Sequence, residues 1–226
     1  MVKQVLYAER FSVFTDTASL VNLGFSIQEG QCLSLGIPNK EERRLFLYAL
    51  FGVVPMMDGI LRFKGQAIEE ELPSARLSYG MSLILPKSEG EEIFPDERVF
   101  SHSVMGYKRS FWGDSGIDYP WIGNKKSMQQ FRRRNRIFTK KGQKPSLIIY
   151  YEPKKECDSL EKTFRESMLS FKKDGGAVLI IDKEVYTSSG MDHAGLICGG
   201  RMLGIVENNE EDLKKLWSMG GAKDDA

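Results

Sequence analysis

A chain of 226 residues, 41% hydrophobic and 28% charged, has enough material for a real core in one domain, or in one domain with a small lobe. Its formal net charge of +1 makes no whole-molecule case for nucleic acid or an anionic membrane as partner. No apolar run approaches the roughly 20 residues that span a bilayer, and the opening Met-Val-Lys-Gln-Val-Leu-Tyr lacks a signal-peptide core. Cys32, Cys157 and Cys198 are odd in number and scattered, which fits reduced thiols in the cytoplasm better than a disulfide framework or a metal site.

In chain order, Val2 to Glu9 and Ser19 to Ile27 read as strands, separated by the polar Thr15-Asp16-Thr17. Glu29-Gly30 turns the chain into Cys32 to Ile37, a short apolar run of the kind found in buried strands. From Lys40 to Phe51 the pattern is helical, with Gly52 as its stop. Gly59 to Gly65 is a small strand that leaves through a glycine turn, and Met81 to Leu85 is a strand ended by Pro86. Residues 87–126 are the least regular part, rich in Gly, Ser, Pro and aromatic residues.

A basic helix is expected from about Ser127 to Lys140, then a strand at Leu147 to Tyr151 and a helix from Ser159 to Lys173 stopped by Gly175-Gly176. Ala177 to Ile181 is a further buried strand, and Leu196 to Ile205 a hairpin folded at Gly199-Gly200. A last helix, Glu210 to Met219, is capped by Asn209 and carries acids in its first turn. Residues 220–226 read as a flexible tail. Short strands alternating with helices predict an α/β sheet with mainly parallel central strands, and the N-terminal pieces with 59–65 predict a separate small β lobe.

The stretch Ser146-Leu-Ile-Ile-Tyr-Tyr-Glu-Pro153 resembles the Walker B strand of an ATP-binding-cassette (ABC) ATPase. Other segments resemble the same family in the same order. Gly30 to Gly36 is similar to the strand entering Walker A, Ala49 to Gly52 with Asp58 to Gly65 to the segment after it, and Gly80 to Pro86 to the strand before the Q-loop. Glu152 to Asp158 is similar to the run from Walker B into the D-loop, while Gly176 to Ile181 and Cys198 to Gly204 are similar to the strand and hairpin flanking the switch region. The likeness spans residues 1–219 and is nearest to the second cassette of ribose/galactose-type sugar importers. It implies a RecA-like P-loop NTPase core of ABC-ATPase type, with a small antiparallel β lobe and a reduced helical subdomain in the shortened 87–126 region.

At the chemical positions the sequence departs from that family. The loop that would cradle phosphates reads Gly36-Ile-Pro-Asn-Lys-Glu-Glu-Arg-Arg44. Glycines there let backbone N–H groups curl around phosphate, and a lysine reaches the outer oxygens. Here Pro38 removes one donor, Lys40, Glu41 and Glu42 fill glycine positions, Arg43 stands at the lysine and Arg44 at the Mg²⁺-binding hydroxyl. Tyr151 replaces the Walker B aspartate, while Glu152 remains, a vestigial carboxylate expected to cap a helix at the strand end. Lys125-Lys-Ser-Met-Gln-Gln130 stands at the signature, Asp158 at the D-loop, and Lys183 near the switch position. The histidines, His102 and His193, lie outside the motif positions.

With magnesium ligand, cradle and signature all altered, the reading is a protein without catalytic residues, nucleotide, cofactor or metal that acts by binding another protein, as an accessory to a sugar-type uptake system. Four cations, Arg43, Arg44, Lys125 and Lys126, would converge across an ATP-sandwich dimer, which is therefore not expected. Trp112, Tyr119 and Trp121 offer aromatic anchors for a partner. Two alternatives stay open. One is a weak ATP-binding subunit of a sugar importer, with Arg43 and Arg44 on the phosphates. The other is a nucleic-acid-binding regulator using Arg132, Arg133, Arg134 and Arg136 on the 132–141 basic helix.

Overall fold

The computed structural model describes residues 3–86, 135–139, 143–153, 166, 168–187 and 190–219. Two sheets carry the fold. The smaller has the order β2-β1-β4-β5 and is antiparallel throughout, from β1 (Gln4–Phe14), β2 (Ser19–Gln28), β4 (Asp58–Phe63) and β5 (Gln66–Ala67). β1 runs past Glu9, where the sequence pattern stops, because a bulge at Arg10 (φ 51°) re-registers it with both neighbours. Lys64 (φ 51°) and Gly65 (φ 81°) make the two-residue turn from β4 to β5, whose positive dihedrals match the strand twist.

The larger sheet has the order β11-β10-β3-β9-β8-β6-β7. Its five inner strands are β10 (His193–Cys198), β3 (Cys32–Gly36), β9 (Ala177–Asp182), β8 (Leu147–Tyr151) and β6 (Met81–Pro86), all mutually parallel. β3, β6, β8 and β9 are buried along their whole length, which explains why they read as continuous apolar runs without alternation. The edges, β11 (Arg201–Glu207) and β7 (Asn135–Phe138), are antiparallel, and β11 returns from β10 through Gly199 and Gly200 at positive φ.

Where a basic helix is expected from 127 to 140, residues 135–138 instead form β7 against β6. Arginine favours helix on propensity alone, but the open edge of β6 offers Asn135 to Phe138 a ladder, and tertiary pairing overrides local preference. Residues 168–173 are helical, as the 159–173 pattern predicts. The 87–126 region, the signature position and the tail lie outside the described residues.

α1 (Lys40–Leu50) links the sheets. It buries Leu45, Phe46, Leu47, Ala49 and Leu50, and Phe46 meets Phe11 and Phe25 of the small sheet at ring separations of 5.8 and 5.5 Å. Such tilted aromatic packing adds roughly 0.5–1.5 kcal/mol per pair beyond the area buried. α2 (Pro73–Ser78) has no counterpart in the sequence reading, although Pro73 at its first turn is a helix-start signal. α3 (Glu210–Met219) packs Leu213 and Leu216 over β10 and β11. Among the described residues no helix is long and apolar enough to cross a membrane.

Candidate functional site

The register of the large sheet brings together the carboxyl ends of its central strands, where open α/β sheets usually hold their ligands. Gly36 of β3 lies beside Asp182 of β9, and Ile181 of β9 beside Tyr151 of β8. The β3–α1 loop, residues 37–39, and Glu152 therefore face each other across the end of β9. The Glu152 N–H donates to Ile181 O at 2.8 Å and the Ile37 N–H to Asp182 O at 2.8 Å, which ties both rims to the middle strand.

Between the rims lies the side chain of Arg43. Arg43, in the first turn of α1, is almost wholly buried and folds back over its own loop. Its Nε donates to Glu152 Oε1 at 2.6 Å, and its Nη1 donates to the carbonyls of Ile37 at 2.5 Å and Pro38 at 3.2 Å. The two ionic side chains are only 7% and 19% exposed, so solvent screens the pair far less than a surface ion pair. Glu152 holds its place in a left-handed backbone conformation (φ 47°), unusual for a residue with a Cβ. Glu152 takes Arg43 as a partner, and the helix it is expected to cap lies outside the described residues.

Four backbone donors of this loop and helix start, those of Ile37, Glu41, Glu42 and Arg43, are occupied as well. Asn39 caps α1, its Oδ1 accepting from the N–H groups of Glu41 at 2.9 Å and Glu42 at 3.1 Å. The Arg43 N–H donates to Asn39 O, Ile37 donates to Asp182, and Pro38 has no N–H. A helix start normally offers such groups to an anion. Here the Asn39 side chain and the loop take those of Glu41, Glu42 and Arg43 internally. Asn39 escaped the sequence reading, though Asn three residues before Glu42 is a helix-start signature.

The remaining positions separate. Gly36 is needed for packing, since a Cβ there would come within 2.9 Å of a Val185 methyl. Lys40 is exposed at the first residue of α1. Arg44 Nε donates to Tyr48 Oη of the same helix at 3.0 Å. Glu42 is buried, and its Oε2 has no hydrogen-bond partner in the structure. Burial, with the Glu42 charge adding to it, raises the Cys198 thiol above its ordinary pKa and keeps it protonated. Tyr151 is fully buried and brings no carboxylate to the site. Lys183 is exposed, its side chain 67% accessible and paired with Glu184. Asp158, Trp112, Tyr119, Trp121, Arg132, Arg133 and Arg134 lie outside the described residues, and Arg136 sits in β7 opposite Leu85. Among the described residues no three His, Cys, Asp or Glu side chains gather as metal ligands.

No protein-family model matches the sequence, and no curated protein matches it. Solved structures do match. One is a nucleotide-free ATP-binding cassette from an ABC transporter, with a TM-score of 0.70 at 16% identity, covering 95% of each chain. A second is the ADP conformation of an ATP-binding cassette of an ABC transporter, at TM-score 0.66 and 15% identity over 96% of this chain and 98% of that one. A third is the ATP-binding subunit of an ABC transporter, at TM-score 0.61 and 16% identity over 96% and 95%. At such identities the likeness speaks for architecture alone. The chain has the fold of an ATP-binding cassette.

Proposed function

We propose that this cassette does not hydrolyse ATP and works by binding another protein, as an accessory or regulatory element of a sugar-type ABC uptake system. The observation that supports this most is the Arg43–Glu152 pair, which fills the hollow between the β3–α1 loop and the end of β8. For a triphosphate to enter, Arg43 must leave a carboxylate and two carbonyls. Taking Arg43 out of this largely buried pair costs about 2–3 kcal/mol, which weakens binding by roughly 30- to 150-fold. The loop's capped N–H groups and the neighbouring carboxylate add to that resistance. With Tyr151 in the last position of β8, that strand end offers no aspartate to a magnesium ion. Phosphoryl transfer rests on positioning and charge neutralisation, and a lone carboxylate held by an arginine supplies neither.

The functional setting, a transporter accessory, rests on analogy with the cassettes that share the fold. The test has two arms. Mg-ATP at millimolar concentration is expected to leave the melting temperature unchanged, whereas a binder at 100 times its Kd gains about 2.7 kcal/mol of stability. A clear ATP-dependent rise, or an ATP-induced dimer in sedimentation, would establish the weak ATP-binding reading instead. In the second arm, the tagged protein is expected to co-purify with membrane-embedded transporter subunits from its own cells with Arg43→Ala as well as without it. Loss of the complex in that variant would mean that the site still carries the function.

A further inference from the structure

The small sheet carries a second concavity, which shares no residue with the Arg43 site. A cleft of about 540 Å³ opens where the outer face of β1 and β2 meets the start of β10 and the middle of β11. That volume lies within the range of small-molecule pockets, roughly 300–1,000 Å³. The alternation of β2 buries Leu23, Phe25 and Ile27 and turns Gly24 and Ser26 outward, while Tyr7 of β1 stands directly across from Ser26. Gln31 and His193 close the far wall.

Gly24 is the informative residue. Glycine weakens a strand interior and is found there when the backbone takes a positive φ, when another chain crosses closely, or when a ligand approaches. The first reason is absent, since the left-handed residue in β2 is Asn22 (φ 54°) and Gly24 is not among the positive-φ glycines. The second is absent too, for a Cβ built on Gly24 meets nothing within 4 Å. What remains is open floor in the cleft.

We infer that this cleft binds a small neutral polyhydroxylated ligand, a saccharide or polyol, laid over Gly24 and against the Tyr7 ring. Among the described residues its lining contains no lysine or arginine, which disfavours phosphates and nucleotides. Its one carboxylate, Glu9, already accepts the Tyr7 hydroxyl at 2.7 Å, and Arg62 stands opposite Tyr7 on the neighbouring β4, so the Glu9 charge has a cation on the adjacent strand. The polar groups are donors and acceptors together: the hydroxyl of Ser26, the Glu9 carboxylate, the His193 imidazole and the amide of Gln31. The Gln31 carbonyl takes the Gln28 N–H at 3.0 Å, which leaves its NH₂ to donate. Hydroxyl groups, donating and accepting at once, satisfy such a mixed wall.

Titration of the ¹⁵N-labelled protein with D-glucose and with D-ribose tests this, using L-arginine and inorganic phosphate as the cationic and anionic comparisons. One sugar is expected to shift the amides of Gly24, Ser26, Gln31 and His193 saturably, with neither comparison doing so. Gly24→Val places a branched side chain in the cleft where the backbone tolerates it. It should weaken that binding at least about tenfold, equivalent to some 1.4 kcal/mol, with an unchanged or higher melting temperature. Ser26→Ala, a smaller change on an exposed position, gives the second variant. No saturable shift from either sugar up to about 50 mM, where even a millimolar site is filled, would overturn the inference. So would a stronger response to arginine or phosphate, or sugar binding that both variants leave intact.

Discussion

Two nearly buried arginines stand at opposite ends of α1, and their surroundings differ as the helix ends differ. Arg76 of α2 is fully buried and serves the C-terminal end, donating to the carbonyls of Ala49 at 2.9 Å and Leu50 at 2.8 Å, and to those of Glu71 at 2.9 Å and Glu69 at 3.0 Å. A cation belongs there, where orphan carbonyls carry the negative pole of the helix, and among the described residues no carboxylate is paired with its guanidinium. Burial still pulls its pKa from 12.5 down to about 10, partly offset by the charges of Glu69 and Glu71, so it stays charged at neutral pH. Arg43 sits at the other end, where the positive pole disfavours a cation, and there a carboxylate, Glu152, is bonded to it. The contrast teaches that Arg76 belongs to the architecture of α1, whereas Arg43 needs a counter-ion brought from 109 positions along the chain.

The largest effects should fall at Arg76. Arg76→Leu removes the donors from four carbonyls, two of them at the end of α1, and is expected to lower stability by about 3–5 kcal/mol in urea unfolding. Arg76→Lys should recover only part of this, because a point ammonium cannot span carbonyls of two segments as a planar fork does. Gly52 belongs to the same device. At φ +72° it ends α1, and a Cβ there would lie 2.4 Å from Glu71 O and 2.8 Å from the Arg76 guanidinium carbon. Gly52→Ala should cost about 2–3 kcal/mol, and less than that in the Arg76→Leu background, since the displaced guanidinium is gone. Equal costs in both backgrounds would separate Gly52 from the clamp.

At the other end the expected effects are smaller. Arg43→Gln leaves Glu152 and two carbonyls without a charged donor and should cost about 2–3 kcal/mol; Glu152→Gln keeps an acceptor for Nε and should cost about 1–2 kcal/mol. A double-mutant cycle should return coupling that survives 1 M salt, given the 7% and 19% exposure of the pair. Coupling that disappears with salt would reduce this pair to an ordinary surface contact. Removing Arg43 should not create ATP binding either, because Asn39 still holds the N–H groups of Glu41 and Glu42.

Much of this frame is legible in the sequence, for reasons that differ between elements. β3, β8 and β9 are buried on both faces, so their apolar runs stand out, and the Gly199-Gly200 hairpin and Asn209 cap announce themselves through backbone chemistry. β7 is illegible because its strand character comes from the edge of β6, which no local pattern encodes. The Arg43–Glu152 pair escapes in a similar way. Each residue is conspicuous alone, but their meeting depends on β9 lying between β3 and β8. Gly24 escapes because a sequence does not reveal that the space above a glycine is empty.

The smallest effects should appear at α3, an exposed helix whose charges follow the rule that Arg43 breaks. Glu210, Glu211 and Asp212 occupy its first turn, and Asn209 Oδ1 accepts the Asp212 N–H at 2.9 Å. The hydrogen bond from Lys214, reinforced by its charge, holds the Glu210 carboxyl below its ordinary 4.5. A carboxylate that ionises more readily folded than unfolded stabilises the protein above its unfolded pKa, and that contribution fades as pH falls through the lower folded value. Melting temperatures of the wild type and Glu210→Gln should therefore differ slightly at pH 7 and converge below about pH 4.5, with 1 M salt shrinking the neutral-pH difference. Asn209→Ala, by contrast, should lose about 1 kcal/mol at either pH, because an amide cap carries no proton. If Glu210→Gln were neutral at pH 7 in low salt, charge at a helix end would matter little in this protein. The pairing of Arg43 with Glu152 would then owe more to the geometry of the strand ends than to the pole of α1.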